Sequence, residues 1–200
     1  QRIYDFVNLA EIESVPETAS LDRYAVVLPN TRIADNVLVS QRAYLENSTL
    51  GKGANVQENC FIINSHLEGP NVTAHGAKIV EADMGSNVFV GFNSFLYGKP
   101  DSRLRIGKDS AVMPHTIIDI DQPLEVPEAH LVWGLIRNKE ELVTNSMPIE
   151  QLASVQSSFT KGNMHFEGNG ALIVKALGDR IRHILEANGA FYEDGKNAGH

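Results

Sequence analysis

The chain has a single cysteine, Cys60, in 200 residues. A lone thiol excludes an internal disulfide and a cysteine-built zinc cluster. No apolar run is long enough to span a bilayer. Cations are outnumbered, with 17 Lys and Arg against 25 Asp and Glu and a formal charge of -8. That deficit argues against nucleic acid or an anionic membrane as the main partner, and an oligomer would multiply the repulsion. Apolar content and charge otherwise suit an ordinary soluble chain of about one domain, or one domain with an appendage. An initiator methionine is missing at Gln1, which leaves room for a removed targeting segment. The expected location is the cytoplasm.

Sustained helical spacing is also lacking over the first two-thirds of the chain, and so is the strict alternation of a β-sandwich. A repeat stands in their place. Val15, Leu21, Val27, Ile33, Val39 and Leu45 lie six apart. Four residues after each comes a small or β-branched residue: Ala19, Ala25, Thr31, Val37, Ala43 and Thr49. A five-residue step then enters every coil, as in Leu50, Val56, Ile62, then Leu67, Thr73, Ile79, then Met84, Val90, Leu96. Ala54, Cys60, Ala77, Val88 and Ser94 are among their small partners, and Ile33, Leu50, Leu67 and Met84 are seventeen apart. The pattern predicts an all-β solenoid, a left-handed parallel β-helix of hexapeptide repeats with a C-terminal α-helical appendage. Aliphatic residues point into a triangular prism, small ones fit its crowded corners, and stability sums over stacked coils.

The register breaks at Gly98-Lys99-Pro100-Asp101, read as a loop pushed out at a corner. It resumes at Ile106-Gly107, Val112 and Ile118, breaks again at about 119–125, and closes with Val126 and Val132. The expected organisation is a lead-in over 1–14, the β-helix over 15–137 and a helical tail over 138–200. Within the tail, Ser146-Met147-Pro148 is expected to start a helix carrying Ile149, Leu152 and Val155 on one face. Residues 157–170 are rich in Gly, Ser and Asn and are expected to form a linker. Leu172, Ile173, Ala176, Leu177, Ile181, Ile184 and Leu185 make an amphipathic helix that should stop at Gly189 and pack along the prism or on a neighbouring subunit.

Three stretches resemble the γ-carbonic-anhydrase-like branch of the hexapeptide-repeat superfamily. They are Asn55-Val56-Gln57-Glu58, Asn71-Val72-Thr73-Ala74-His75, and the run from Gly85 through Val90-Gly91-Phe92-Asn93 to Phe95. Val126-Pro127-Glu128-Ala129-His130-Leu131-Val132-Trp133-Gly134 is similar to that branch's last coil. The resemblance covers roughly residues 33–137. It implies a homotrimer and one of two chemistries, zinc-dependent hydration or acyl transfer from an acyl-CoA or acyl-carrier thioester. The family's metal site uses three histidines, and at the matching positions this chain has Ile63, His75 and Val80. One imidazole between two aliphatic residues cannot hold a catalytic zinc. A zinc centre of that family's type is therefore disfavoured, and the presence of any bound metal is left open. Were one present, His75, His66 and His115 would be its candidate ligands.

Residues seventeen apart should stack on adjacent coils about 4.8 Å apart. Gln41, Glu58, His75 and Phe92 form such a column. Glu58 beside His75 is a pairing that orients an imidazole and raises its basicity, which suits a general base acting on a hydroxyl or amine that attacks a thioester. These two are the candidate catalytic residues. Gln57, Arg42, Asn59 and Asn93 beside them are candidate substrate-binding residues. The same column also reads as a polar strip at a subunit contact. His66 and Asp83 share another column and suit a corner ion pair, while His115 and His130 lie on later coils. Lys99, Arg103, Arg105 and Lys108 gather around the extruded loop, the first three being candidates to hold the phosphates of acyl-CoA as co-substrate. Charged loop tips are normally just solvated. The leading expectation is an acyltransferase acting on a small hydroxyl or amine acceptor at a cleft between subunits. Its rivals are a hydratase with a rebuilt metal site and a non-catalytic scaffold subunit.

Overall fold

Every third strand of the chain stacks on the one before it, and this places the aliphatic repeat inside a three-faced prism. The computed structural model describes residues 15–187. It is a parallel β-solenoid of about seven turns that matches a left-handed β-helix, followed by a short helical tail. Strand pairing puts Ile33 against Leu50, Leu50 against Leu67, and Leu67 against Met84. Val39, Val56, Thr73 and Val90 form a second inner line, and Leu45, Ile62, Ile79 and Leu96 a third. Nearly all of these side chains are fully buried. Burial of each Leu or Ile contributes about 2 kcal/mol, and every coil depends on its neighbours for it.

The corners need backbone in the left-handed region, which most L-residues avoid but Asn tolerates. Asn30, Asn36, Asn47, Asn59, Asn64, Asn87 and Asn93 all take φ between 45° and 63° there. Down one corner Asn47 donates to Asn64, and Asn64 donates to Glu81. The small slot expected at Thr49 is filled by Ser48, which is buried while Thr49 is half-buried on a strand. The five-residue step moves the corner back by one position. The loop after Leu96 begins at Gly98, where a Cβ would stand 2.2 Å from the Glu81 carbonyl oxygen. No larger residue fits between those coils.

The three faces differ on their outer sides. The first runs from Ser20–Leu21 through Leu38–Val39, Ala54–Val56, Asn71–Thr73, Phe89–Val90 and Ala111–Val112 to His130–Val132. It is extended by Ser146–Pro148, the one antiparallel strand on the solenoid. The second face carries Tyr44, Phe61, Lys78, Phe95, Ile117 and Leu135 in one outward line. The third carries Thr49, His66, Asp83, Arg105 and Glu125.

The tail covers the first face. It comprises helices α1 (Lys139–Thr144), α2 (Ile149–Ala153) and α3 (Gly170–Ala187), with an antiparallel hairpin of Ser158–Lys161 and Met164–Glu167 between the last two. A second apolar core forms outside the prism, where Val72, Phe89, Leu131 and Trp133 meet Met147, Leu152, Ile181 and Leu185. Two expectations for the tail are corrected. Ser146–Pro148 is a strand, because its backbone pairs with His130–Val132 and the Ser146 hydroxyl donates to the Leu142 carbonyl; the expected helix follows directly over Ile149–Ala153 with Pro148 at its start, and ends before Val155. Helix α1 precedes the strand, started by Asn138, whose side chain accepts from the Glu141 amide at 2.9 Å. The expected linker is the hairpin, turned at Gly162, where φ is 56°. The expected helix stop at Gly189 and the lead-in over 1–14 lie outside the described residues. Among the described residues no helix is long and apolar enough to cross a membrane.

Candidate functional site

The line of Gln41, Glu58, His75 and Phe92 stands where the first and second faces meet. Backbone hydrogen bonds join its coils, from Asn59 to Gln41, Gly76 to Glu58 and Asn93 to His75. The His75 ring lies parallel to Phe92 with centroids 5.2 Å apart, and Phe92 meets His115 edge-on at 5.1 Å. Such contacts restrain ring orientation and contribute about 1 kcal/mol each. The His75 amide donates to the Gln57 side-chain oxygen at 3.2 Å. Glu58 lies on the coil below without a hydrogen bond to the imidazole, so stacking on Phe92 orients the ring. His75 lines an open groove.

That groove encloses about 680 Å³, a volume that suits a small molecule. One wall is the first face, with Ser40, Gln57, Glu58 and His75. The other is the C-terminal flank of α3, with His183, Ile184 and Ala187. The helix is seated by Ile181 and Leu185, which are buried, and the neighbouring flank, where Ile184 still packs on the apolar core, lines the groove. His183 had no signal of its own in the sequence. A helical period identifies the packing stripe but not the angle at which the helix crosses the sheet.

Of the residues expected to bind substrate, Gln57 lines the groove. Arg42, Asn59 and Asn93 do not; they are exposed corner residues with φ of 58°, 58° and 53°. Their place is set by the need for left-handed backbone. Cys60 is buried beneath this corner, and burial pushes its thiol up to about 12, so it is no nucleophile at neutral pH.

The cationic loop is arranged differently from a free cluster. Lys99 pairs with Asp121 and ties the two extruded loops together. Arg103 forms a bidentate contact with Asp83 at 2.9 and 3.0 Å, meets Glu81 at 2.8 Å, and donates to the carbonyls of Asn64 and Ala82. The guanidinium holds the Asp83 carboxyl below the usual range, chiefly by hydrogen bonding, and its own value is raised in return. Arg105 stands between Asp83 and Glu125 in the strand register. A depression of about 450 Å³ lies beside them, where Arg103, Arg105 and Lys139 are accompanied by Asp101 and Glu125. Lys108 sits at the following corner, outside it.

His66 is in register with Asp83 as expected, but Asp83 takes Arg103 as its partner. A two-pronged guanidinium satisfies both carboxylate oxygens at once, which an imidazole cannot. His66 belongs to the third face and does not join His75 and His115. Among the described residues no three His, Cys, Asp or Glu side chains converge as a metal-ligand set. His130 turns its Nδ1 to the Glu128 carbonyl at 2.8 Å.

No family model matches the chain. Comparison with solved structures finds a protein of Desulfovibrio desulfuricans G20, an acetyltransferase by name, with 52% identity over 92% of this chain and a TM-score of 0.87. Among curated proteins, the Bifunctional protein GlmU of Rhizobium rhizogenes is 28% identical over 136 residues, or 64% of this chain. The chain spans 40% of the length of the first and 28% of the second.

Proposed function

We propose that this chain, a member of the hexapeptide-repeat β-helix superfamily, is the solenoid of an acyltransferase that moves an acyl group from an acyl-CoA-type thioester to a small hydroxyl or amine acceptor. The 52% identity and common fold with an acetyltransferase by name carry this reading. The groove beside His75 supports it. In the proposed step the acceptor attacks the thioester carbonyl. Its O–H or N–H proton passes to His75 as the new C–O or C–N bond forms and the C–S bond breaks. The protonated imidazole then returns that proton to the leaving thiolate.

The donor's phosphates would lie by the depression of Arg105 and Lys139, with Lys99 and Arg103 holding its loops in shape. A homotrimer would use the second face. Phe61, Ile117 and Leu135 are exposed there to 38%, 38% and 44%, and a partner's surface on them would bring a further wall to the His75 corner.

Turnover of acetyl-CoA, followed by thiol release with a panel of acceptors, tests the reading. His75→Ala should lower turnover by ~10²–10⁴-fold with melting lowered by only about 2–4 °C, since the ring lies outside the prism and loses the Phe92 stack alone. Glu58→Gln should have a smaller effect. An active transferase indifferent to His75 refutes the site. Loss of a bound metal together with hydratase activity in the same variant would favour the hydratase, and absence of both activities the scaffold.

A further inference from the structure

The tail helix leaves open ground beneath its last two turns. Ile181 and Leu185 are buried against the first face, yet over the early coils the helix flank stands away from Ser40, Gln57 and Glu58. The lining there mixes Leu38 and Ile184 with Ser40, Gln57, Glu58 and His75, so polar groups stand under a helix that elsewhere covers apolar ones. His183 and Ala187 are one turn apart on that flank, so the imidazole reaches toward the groove and a small residue stands beside it at the edge of the lining. Apart from the two imidazoles, Glu58 is the only ionisable group among the described residues lining the groove. Arg180 and Arg182 lie on α3 outside the lining. The cations of the other depression stand by the third face. A carboxylate without a lining cation attracts an ammonium group and repels an anion.

We infer that the groove between the first face and α3 is the acceptor site, that its acceptor is a small amine carrying no anionic group, and that His183 is a specificity-determining residue that hydrogen-bonds it opposite His75. This rests on the acyltransferase reading and adds the acceptor class and the role of the tail. Glu58 draws in the ammonium form, which sheds one proton to solvent on binding. The second N–H proton passes to His75 as the C–N bond forms and the thioester C–S bond breaks, and the imidazolium protonates the thiolate. The products are an amide and a free thiol.

The test measures steady-state kinetics of the full chain with acetyl-CoA, using ethanolamine and β-alanine as matched acceptors with and without a carboxylate. Ethanolamine should be preferred by about tenfold or more in kcat/KM. His183→Ala should raise the KM for ethanolamine about tenfold, with kcat and the KM for acetyl-CoA within about threefold. His183→Gln, which keeps a donor and an acceptor, should recover part of the loss. Ala187→Phe should crowd the groove at its edge and raise the same KM without touching the sheet. Unchanged ethanolamine KM in both His183→Ala and Ala187→Phe, or a preference for β-alanine, overturns the inference and leaves the acyltransferase reading standing. A parallel fall of kcat and melting temperature in His183→Ala also overturns it, because the helix is then only a cover. Absence of thiol release by the unmodified chain with every acceptor overturns both readings together.

Discussion

Exchanging Val39 for aspartate tests the register on which every later assignment depends. Val39 is buried inside the prism to 1% exposure, with Leu21 on the coil below and Val56 on the coil above. Its neighbours offer no cation and no hydrogen-bond donor. An aspartate there must stay neutral or remain charged without a partner, at a cost of several kcal/mol. Taking about 4 kcal/mol, and about 2–4 °C of melting temperature per kcal/mol in a chain of this size, the transition should fall by roughly 8–16 °C. The next residue along the strand is the control. Leu38 points to the outer side and is half-buried at the groove, so Leu38→Asp should cost about 1 kcal/mol. The assay is thermal unfolding followed by circular dichroism. A one-residue slip would turn every side chain to the opposite face and reverse the ranking of the two variants. A melting temperature that hardly moves in Val39→Asp refutes the register.

The Cys60 thiol is buried and raised to about 12, so at pH 8 it should label with a thiol reagent only as fast as the solenoid opens, and rapid labelling of native protein would contradict its placement. Arg103→Met removes the cation that pairs with both Asp83 and Glu81, leaving Glu81 its bond from Asn64. With Arg103 30% and Asp83 35% exposed, solvent screening reduces the expected loss to about 1–2 kcal/mol, read from denaturant midpoints; no change in midpoint would show the network to be ornamental to stability. The same ion pair sets a pH dependence. Folding lowers the value of Asp83, so its stabilisation is complete above the unfolded carboxylate value, about pH 4, and is lost as pH falls through the lower folded value. Asp83→Asn should flatten that acid limb, and an unaltered acid limb would rule the pair out as its source.

The six-residue spacing determined the prism, because a coil can bury an aliphatic side chain only at that interval and in that direction. The seventeen-residue period likewise placed Glu58, His75 and Phe92 on one line, since parallel stacking brings equivalent positions together. Corner positions were less legible. Asn59 and Asn93 resembled binding residues because Asn serves left-handed backbone and ligand contacts with the same side chain. Lys99 and Arg103 resembled a phosphate site because the carboxylates that engage them, Asp121 and Asp83, stand 22 and 20 residues away. The hairpin after Ser158 was hidden by its Gly and Asn content, although Gly162 is what its turn requires. In the tail, local pattern supplied an amphipathic helix but no docking angle. How α3 crosses the first face depends on how Ile181 and Leu185 pack into the apolar cluster that includes Val72 and Phe89. That packing alone carried His183 to the groove of His75, because side chains distant in sequence meet only where two surfaces fill each other's gaps.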